Sequence, residues 1–153
     1  MELLSLVGIY AGTFLVCAIS GLVPLVNAEM FMLYVGSIAS RPQFPVLILL
    51  AALGQMAAKI VLYQAGRGVL KLPLGRAQAK IEALRERLSK SGKTDGVTFL
   101  SAVTGLPSFY GISVLAGTFG WSLPRFLAIG VVGRMLHFAG LLLLPALVKG
   151  IIG

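Results

Sequence analysis

The chain has 153 residues, of which 58% are apolar, and its mean hydropathy is +0.95. A composition this apolar exceeds that of water-soluble globular domains and indicates an integral membrane protein. The net charge of +8 would by itself allow a nucleic-acid-binding protein. Eight of the thirteen basic residues lie within residues 67–93, however, so the positive charge is concentrated in one loop. We therefore expect no nucleic-acid partner. The single cysteine, Cys17, excludes disulfides and cysteine-based zinc sites, and neither a metal nor a cofactor is expected.

Three stretches are long and apolar enough to be transmembrane helices, since a bilayer core of about 30 Å needs about 20 helical residues. They are residues 3–22, 45–66 and 124–148. Residues 3–28 could instead be a signal peptide, because they end in a small-residue pattern at Ala28. The amino end has Glu2 and no basic residue, however, which favours a retained helix.

Two further apolar segments, residues 22–40 and 96–123, are interrupted by glycine and proline. Such residues break helices, and irregular backbone at membrane depth is tolerated only where protein or a water-filled cavity surrounds it. We therefore predict that each segment is a re-entrant hairpin with two helical limbs. The predicted breaks are Pro24, Gly36, Pro107 and Gly117.

An internal repeat connects each hairpin to the long helix that follows it. Proline and glycine recur in the same order, as Pro24, Gly36, Pro45 and Gly54 and again as Pro107, Gly117, Pro124 and Gly133. In each copy the second proline suits the first turn of a helix. The glycine nine residues later allows another backbone to approach closely.

The basic loop, residues 67–95, sets the predicted topology. Its apolar residues recur at helical spacing, which predicts an amphipathic helix attracted to anionic lipid headgroups. The positive-inside rule places the loop in the cytoplasm, and counting crossings from there makes the two hairpins enter from opposite faces. The predicted fold is an all-α integral membrane protein with one domain, residues 1–153, built as an inverted repeat with an extra N-terminal transmembrane helix.

Ionisable residues inside the membrane are costly and are therefore candidates for function. Glu29 lies in the first hairpin, and Arg134 lies ten residues past Pro124, about 15 Å along the helix and so near mid-bilayer. The two residues form either a structural ion pair or a proton-exchanging carboxylate beside a phosphate-binding guanidinium. His137 shares a helix face with Arg134 and is either a hydrogen-bonded core residue or a partner in proton coupling.

Three other cations are candidate ligands for a lipid phosphate. Lys59 either extends its ammonium group to the cytoplasmic interface or binds the ligand. Arg67 and Arg125 lie at helix ends, where cations often only anchor a helix, although Arg125 is next to the second hairpin. Neither a Ser-His-Asp nor a Cys-His set is visible in the sequence, so we do not expect an enzyme.

Short motifs of glycine, proline and charged residues follow one another along residues 20–140. They are Gly21 to Glu29 with Gly36, Gly54 followed by Tyr63 to Gly68, Gly105 to Pro107, Ala116-Gly117, Arg125-Phe126 and Gly133-Arg134. This set resembles the DedA or VTT membrane family, also called SNARE-associated Golgi proteins, and its small compact members in particular. The resemblance implies inverted re-entrant hairpins, each followed by a long helix. It also implies movement of lipids or lipid-linked phosphates between leaflets, coupled in bacterial members to the proton gradient.

Within this resemblance, Glu29 matches the acidic residue that ends the first hairpin motif, and Gly66-Arg67 matches the Gly-Arg pair after the second helix. The chain departs from the family pattern at Ser20, where a second acidic residue is usual, and at residues 101–104, where arginines are usual. Phosphate recognition would then depend on Arg125, Arg134 or Lys59.

The leading hypothesis is a transporter, flippase or scramblase of a phospholipid or polyprenyl-phosphate-type lipid in the bacterial cytoplasmic (inner) membrane. Membrane lipids are its expected partners, and a homodimer is expected because so small a chain would not enclose a lipid path alone. Two alternatives stay open. One is a structural subunit that packs into a larger membrane complex, and the other is a proton-coupled exporter of small cations.

Overall fold

The computed structural model describes residues 1–23, 25–68, 79, 83, 86–87, 94–106 and 108–153. Within these residues all regular secondary structure is helical, which confirms the predicted all-α class. The helices are α1 (Glu2–Leu22), α2 (Ala28–Ile38), α3 (Phe44–Gly66), α4 (Thr94–Thr104), α5 (Phe109–Thr118) and α6 (Leu123–Ile152). The predicted breaks Pro24 and Pro107, and nearly all of the predicted basic loop and its amphipathic helix, lie outside the described residues.

Helices α1, α3 and α6 are long and apolar enough to cross a membrane. They contain 21, 23 and 30 residues, and at 1.5 Å per residue each is about as long as the hydrocarbon core is thick or longer. Large apolar side chains are exposed along α1 and α6, among them Leu3, Leu15, Leu136 and Leu147. Apolar side chains on the outside of long apolar helices indicate a membrane protein.

Helices α2 and α5 are apolar but short, with 11 and 10 residues. Each is about 15 Å long, half of what a span needs. Residues 22–40 contain one helix rather than the two predicted limbs, because Gly36 lies inside α2. Gly117 is likewise inside α5. The prediction of breaks at these two glycines was wrong, since glycine costs a helix only about 1 kcal/mol and here it serves close packing.

The helices instead end beside residues 24 and 107. The helix α1 ends at Leu22, and α2 begins after Asn27, whose side chain accepts a hydrogen bond from the Met30 N–H at 3.1 Å. The helix α4 ends at Thr104, and the next residue, Gly105, has a φ of +77°. This left-handed conformation is favourable for glycine and ends a helix.

The two halves of the chain use equivalent glycines to bring helices together. Gly54 on α3 lies against the backbone of Phe14 and the side chain of Cys17 on α1. Gly133 on α6 lies against Ala102 and the Phe99 carbonyl on α4. Both glycines follow a proline by nine residues, and each lies at a close contact between two helices, α1 with α3 and α4 with α6. The inverted repeat with an extra N-terminal helix stays a prediction.

The short helices cross to the opposite half. Gly36 on α2 lies against Leu142 on α6, and Gly117 on α5 lies against the Tyr63 carbonyl on α3. Leu142 and Tyr63 each follow the proline in the first turn of their helix by eighteen residues. Tyr63 further joins the halves by donating a hydrogen bond to the Trp121 carbonyl at 2.5 Å. This exchange of short helices places the core between α3 and α6.

The contact between α5 and α3 predicts that two glycine substitutions differ in their effect on the free energy of unfolding. In Gly117→Ala the new Cβ would overlap the Tyr63 carbonyl, whereas Gly140 has nothing within 4 Å of that position. We expect Gly117→Ala to lower the free energy of unfolding by about 1–3 kcal/mol. Gly140→Ala should leave it unchanged or raise it by up to about 1 kcal/mol. Thermal unfolding in detergent, followed by circular dichroism, measures both, and equal stability of the two variants would contradict the packing.

Candidate functional site

Two buried cations from opposite halves face one aromatic ring. Lys59 on α3 is 5% exposed and Arg134 on α6 is 6% exposed. The Lys59 ammonium lies 5.6 Å from the centroid of the Phe109 ring, and the Arg134 guanidinium carbon lies 4.8 Å from it. Phe109, at the start of α5, is itself buried. The ring face attracts both charges, so Phe109 is the point where the two cations meet.

The hydrogen-bonding groups of these cations are only partly satisfied. The Lys59 ammonium donates to the Gly21 carbonyl at 3.1 Å and lies 5.6 Å from the Tyr110 ring centroid. The Arg134 Nε and Nη1 groups are buried and have no hydrogen-bond partner among the described residues. A buried donor without a partner costs free energy, more so when it is charged. Arg134 therefore has two buried donor groups that no described residue satisfies.

The amino terminus of α5 adds positive potential beside the two cations. Ser108 precedes the helix without a side-chain capping bond, and Phe109 is in the first turn. The first N–H groups of a helix lack intrahelical acceptors and attract anions. The amino terminus of α2 differs, because it already has the Asn27 cap and the Glu29 carboxylate in its first turn.

Glu29 and His137 form a hydrogen-bonded pair. The ring atom Nδ1 of His137 lies 2.7 Å from the Val103 carbonyl, and Nε2 lies 3.3 Å from Glu29 Oε1. A carbonyl oxygen only accepts, so Nδ1 bears a proton. A hydrogen bond between Nε2 and the carboxyl group then requires a second proton, on one of those two atoms. This pair joins α2 in the first half of the chain to α6 in the second.

The structure brings four of the six predicted charged site residues to the centre and leaves two at the periphery. Glu29 is paired with His137, whereas the predicted alternative was an ion pair with Arg134. The charges of Glu29 and Arg134 still act on Lys59. Arg125 is exposed and forms an ion pair with Asp95, and Arg67 is exposed at the carboxyl end of α3. Neither peripheral arginine contacts the Phe109 ring.

The uncharged members of the site were not among the residues predicted from the sequence. Gln55 is 5% exposed, and its Oε1 has no hydrogen-bond partner among the described residues. Its Nε2 donates to Ser20 Oγ at 3.2 Å. The sequence contained a pattern that could have identified Gln55, because Gln55 follows Pro45 by ten residues as Arg134 follows Pro124. Phe109 had no such signal, because an aromatic residue in an apolar segment is ordinary.

Removing the Arg134 guanidinium is expected to stabilise the ligand-free protein. Arg134→Met deletes buried donors that lack partners and keeps much of the side-chain volume, so we expect the free energy of unfolding to rise by about 1–3 kcal/mol. The matched variant Arg125→Met breaks an exposed ion pair and should lower it by at most about 1 kcal/mol. Unfolding in detergent without added lipid measures both, and a less stable Arg134→Met protein would show that the guanidinium has internal partners.

Comparison with known proteins found no match for this chain. No family model, no curated protein and no solved structure matches it. The resemblance to the DedA family stays a prediction from the motifs in the sequence. The buried cations and the hydrogen-bonded pair of Glu29 and His137 are therefore the features that bear on function.

Proposed function

We propose that this protein is a membrane transporter, of flippase or scramblase type, that moves an anionic phosphorylated lipid between leaflets. Its phosphate would bind to Arg134 and Lys59 at the Phe109 ring. The supporting observation is the pair of buried cations with unused guanidinium donors and no carboxylate within ion-pair distance among the described residues. Arginine and a helix amino terminus are the groups that proteins commonly use for phosphate.

An apolar groove beside the cations favours a lipid over a soluble anion. The groove has a volume of about 640 Å³ and lies between α1, α3 and α6. Its lining is entirely apolar, namely Phe14, Leu53, Met56, Ala57, Ile60, Leu127, Ala128, Val131 and Val132. Met56 also packs in the same core cluster as Phe109. A hydrocarbon chain in the groove would therefore lie next to a headgroup bound at the two cations.

The shared proton of Glu29 and His137 suits coupling to a proton gradient. The Glu29 side chain is 43% exposed, so the protein does not seal it off. Loss or gain of the proton changes the charge next to the anion site by one unit, which alters the attraction of Lys59 and Arg134 for a phosphate. In this proposal the protonation state of the pair sets whether the headgroup is held or released.

The repeated packing supports two inverted halves. The helices α2 and α5 are each half a span long, and each packs on the long helix of the other half. We propose that they enter the bilayer from opposite leaflets, as in transporters built from inverted repeats. The exposed Arg67 and Arg125 would then assist at the two interfaces, in a homodimer in the bacterial cytoplasmic membrane.

Lipid movement tests the role of the buried guanidinium. In proteoliposomes containing fluorescent phosphatidylglycerol, dithionite quenching measures transfer from the inner to the outer leaflet. We expect Arg134→Gln to lower the transfer rate at least tenfold, because it removes the charge that replaces the hydration of the phosphate. Arg125→Gln removes the same charge at the surface and should keep the rate within about twofold.

The outcomes of this assay separate the interpretations. Equal rates for Arg134→Gln and the unmutated protein would remove the site assignment. No transfer by the unmutated protein, together with copurification of one stoichiometric partner, would favour the structural-subunit alternative. A fluorescent lipid with a neutral headgroup serves as the specificity control, and the buried cations predict that it moves more slowly than phosphatidylglycerol.

Cysteine labelling tests the inverted arrangement. Ser40 and Ser122 are exposed residues in the equivalent connections before α3 and α6. In a Cys17→Ala background, Ser40→Cys and Ser122→Cys should react with a membrane-impermeant maleimide from opposite sides of sealed vesicles. Labelling of both positions from one side would contradict the inverted repeat and the transport path built on it.

A further inference from the structure

The buried amide of Gln55 has a defined orientation. The Ser20 hydroxyl donates its single proton to the Cys17 carbonyl at 2.8 Å, so toward Gln55 it can only accept. The amide group that faces Ser20, at 3.2 Å, is therefore the Nε2 donor. The Oε1 oxygen points elsewhere and is buried without a hydrogen-bond partner among the described residues. Gln55 thus presents an unused acceptor in the protein interior.

This acceptor belongs to the same site as the two cations. Gln55 lies one helical turn before Lys59 on α3, so the two side chains share a face. Gly21 connects them, since it packs against the backbone of Gln55 and its carbonyl accepts from the Lys59 ammonium. The Lys59 ammonium is directed at that carbonyl and at two aromatic rings. Lys59 therefore leaves the Gln55 oxygen available.

The unused groups of the site are complementary in kind. Arg134 offers donors at Nε and Nη1, and Gln55 offers an acceptor at Oε1. The two residues hold the same position in the two halves, ten residues after the helix-starting proline. An anion with acceptor atoms alone would satisfy Arg134 and leave the Gln55 oxygen unpaired, which a buried site penalises.

We propose that Gln55 is a specificity residue that selects an anionic headgroup bearing its own hydrogen-bond donor, such as a singly protonated phosphate monoester. The headgroup oxygens bind Arg134 and Lys59, and its P–OH group donates to Gln55 Oε1. A phosphodiester without a donor has the same charge but leaves that oxygen unsatisfied. This inference rests on the proposed function, and it narrows the class of phosphorylated lipid that the site accepts.

The test compares two soluble probes of equal charge, dodecyl phosphate and dodecyl methyl phosphate. At pH 5 both are monoanions, because the second phosphate pKa of the monoester is about 6, and only the monoester bears a P–OH donor. Calorimetric titration of the detergent-solubilised protein gives both affinities. We expect the monoester to bind about tenfold more tightly, the usual effect of one hydrogen bond to a charged ligand.

Two matched variants on α3 assign that preference. Gln55→Leu should reduce the monoester preference to within about twofold by weakening monoester binding, and diester binding that persists shows that the variant is folded. Gln64→Leu makes the same change nine residues away on the same helix and should keep the full preference. Equal affinity of the unmutated protein for both esters, or a full preference retained in Gln55→Leu, would overturn the role of Gln55.

Further outcomes separate this inference from the proposed function. If both esters bind equally and Arg134→Gln abolishes binding, the anion site stands and only the donor requirement is overturned. If neither ester binds the unmutated protein, the proposed function is overturned as well. The same holds if Arg134→Gln binds both esters as tightly as the unmutated protein does. Inorganic phosphate at pH 5 has the donor without the chain, and we expect it to bind at least a hundredfold more weakly. Affinity equal to that of dodecyl phosphate would overturn a lipid as the ligand.

Discussion

The burial of two positive side chains in an apolar interior is the constraint on which the rest of the structure depends. Removing a charge from water costs several kcal/mol unless it is compensated. Here the compensation consists of two aromatic rings, one carbonyl and the nearby charge of Glu29. The amino terminus of α5 opposes the charges rather than balancing them. Among the described residues the two cations thus lack a full set of partners, and the proposed anion binding rests on this feature.

The carboxyl ends of α1 and α4 supply backbone hydrogen-bond acceptors that a helix interior could not. Carbonyls in a helix interior are occupied, but the last four lack intrahelical donors. Lys59 uses Gly21, which is in the last turn of α1, and His137 uses Val103, which is in the last turn of α4. In both halves a polar side chain of the long helix reaches the carboxyl end of the helix packed beside it. The carbonyl groups at these helix ends therefore form the hydrogen bonds that the polar residues of the long helices would otherwise form with water.

Physical reasons decide which of these features the sequence could predict. Apolar length predicts a long helix directly, and a charge within such a helix is rare enough to identify Lys59 and Arg134. Glycine is ambiguous, because the missing Cβ both weakens a helix and permits close packing, and at Gly36 and Gly117 the second effect applies. Uncharged partners such as Phe109 and Ser20 become recognisable only when the folded chain brings them beside a cation.

The two halves of the chain carry different side chains at matching distances from the proline that starts each long helix. Ten residues after the helix-starting proline one half has Gln55 and the other Arg134, and fourteen residues after it one has Lys59 and the other Phe138. Two identical halves would place none, two or four cations at these four positions, and any two would be the same residue twice. Four would repel one another beyond what a single phosphate could compensate. With none, the proposed anion would have no ligand. One lysine and one arginine instead combine a compact ammonium with a planar guanidinium, which suits the proposed phosphate ligand.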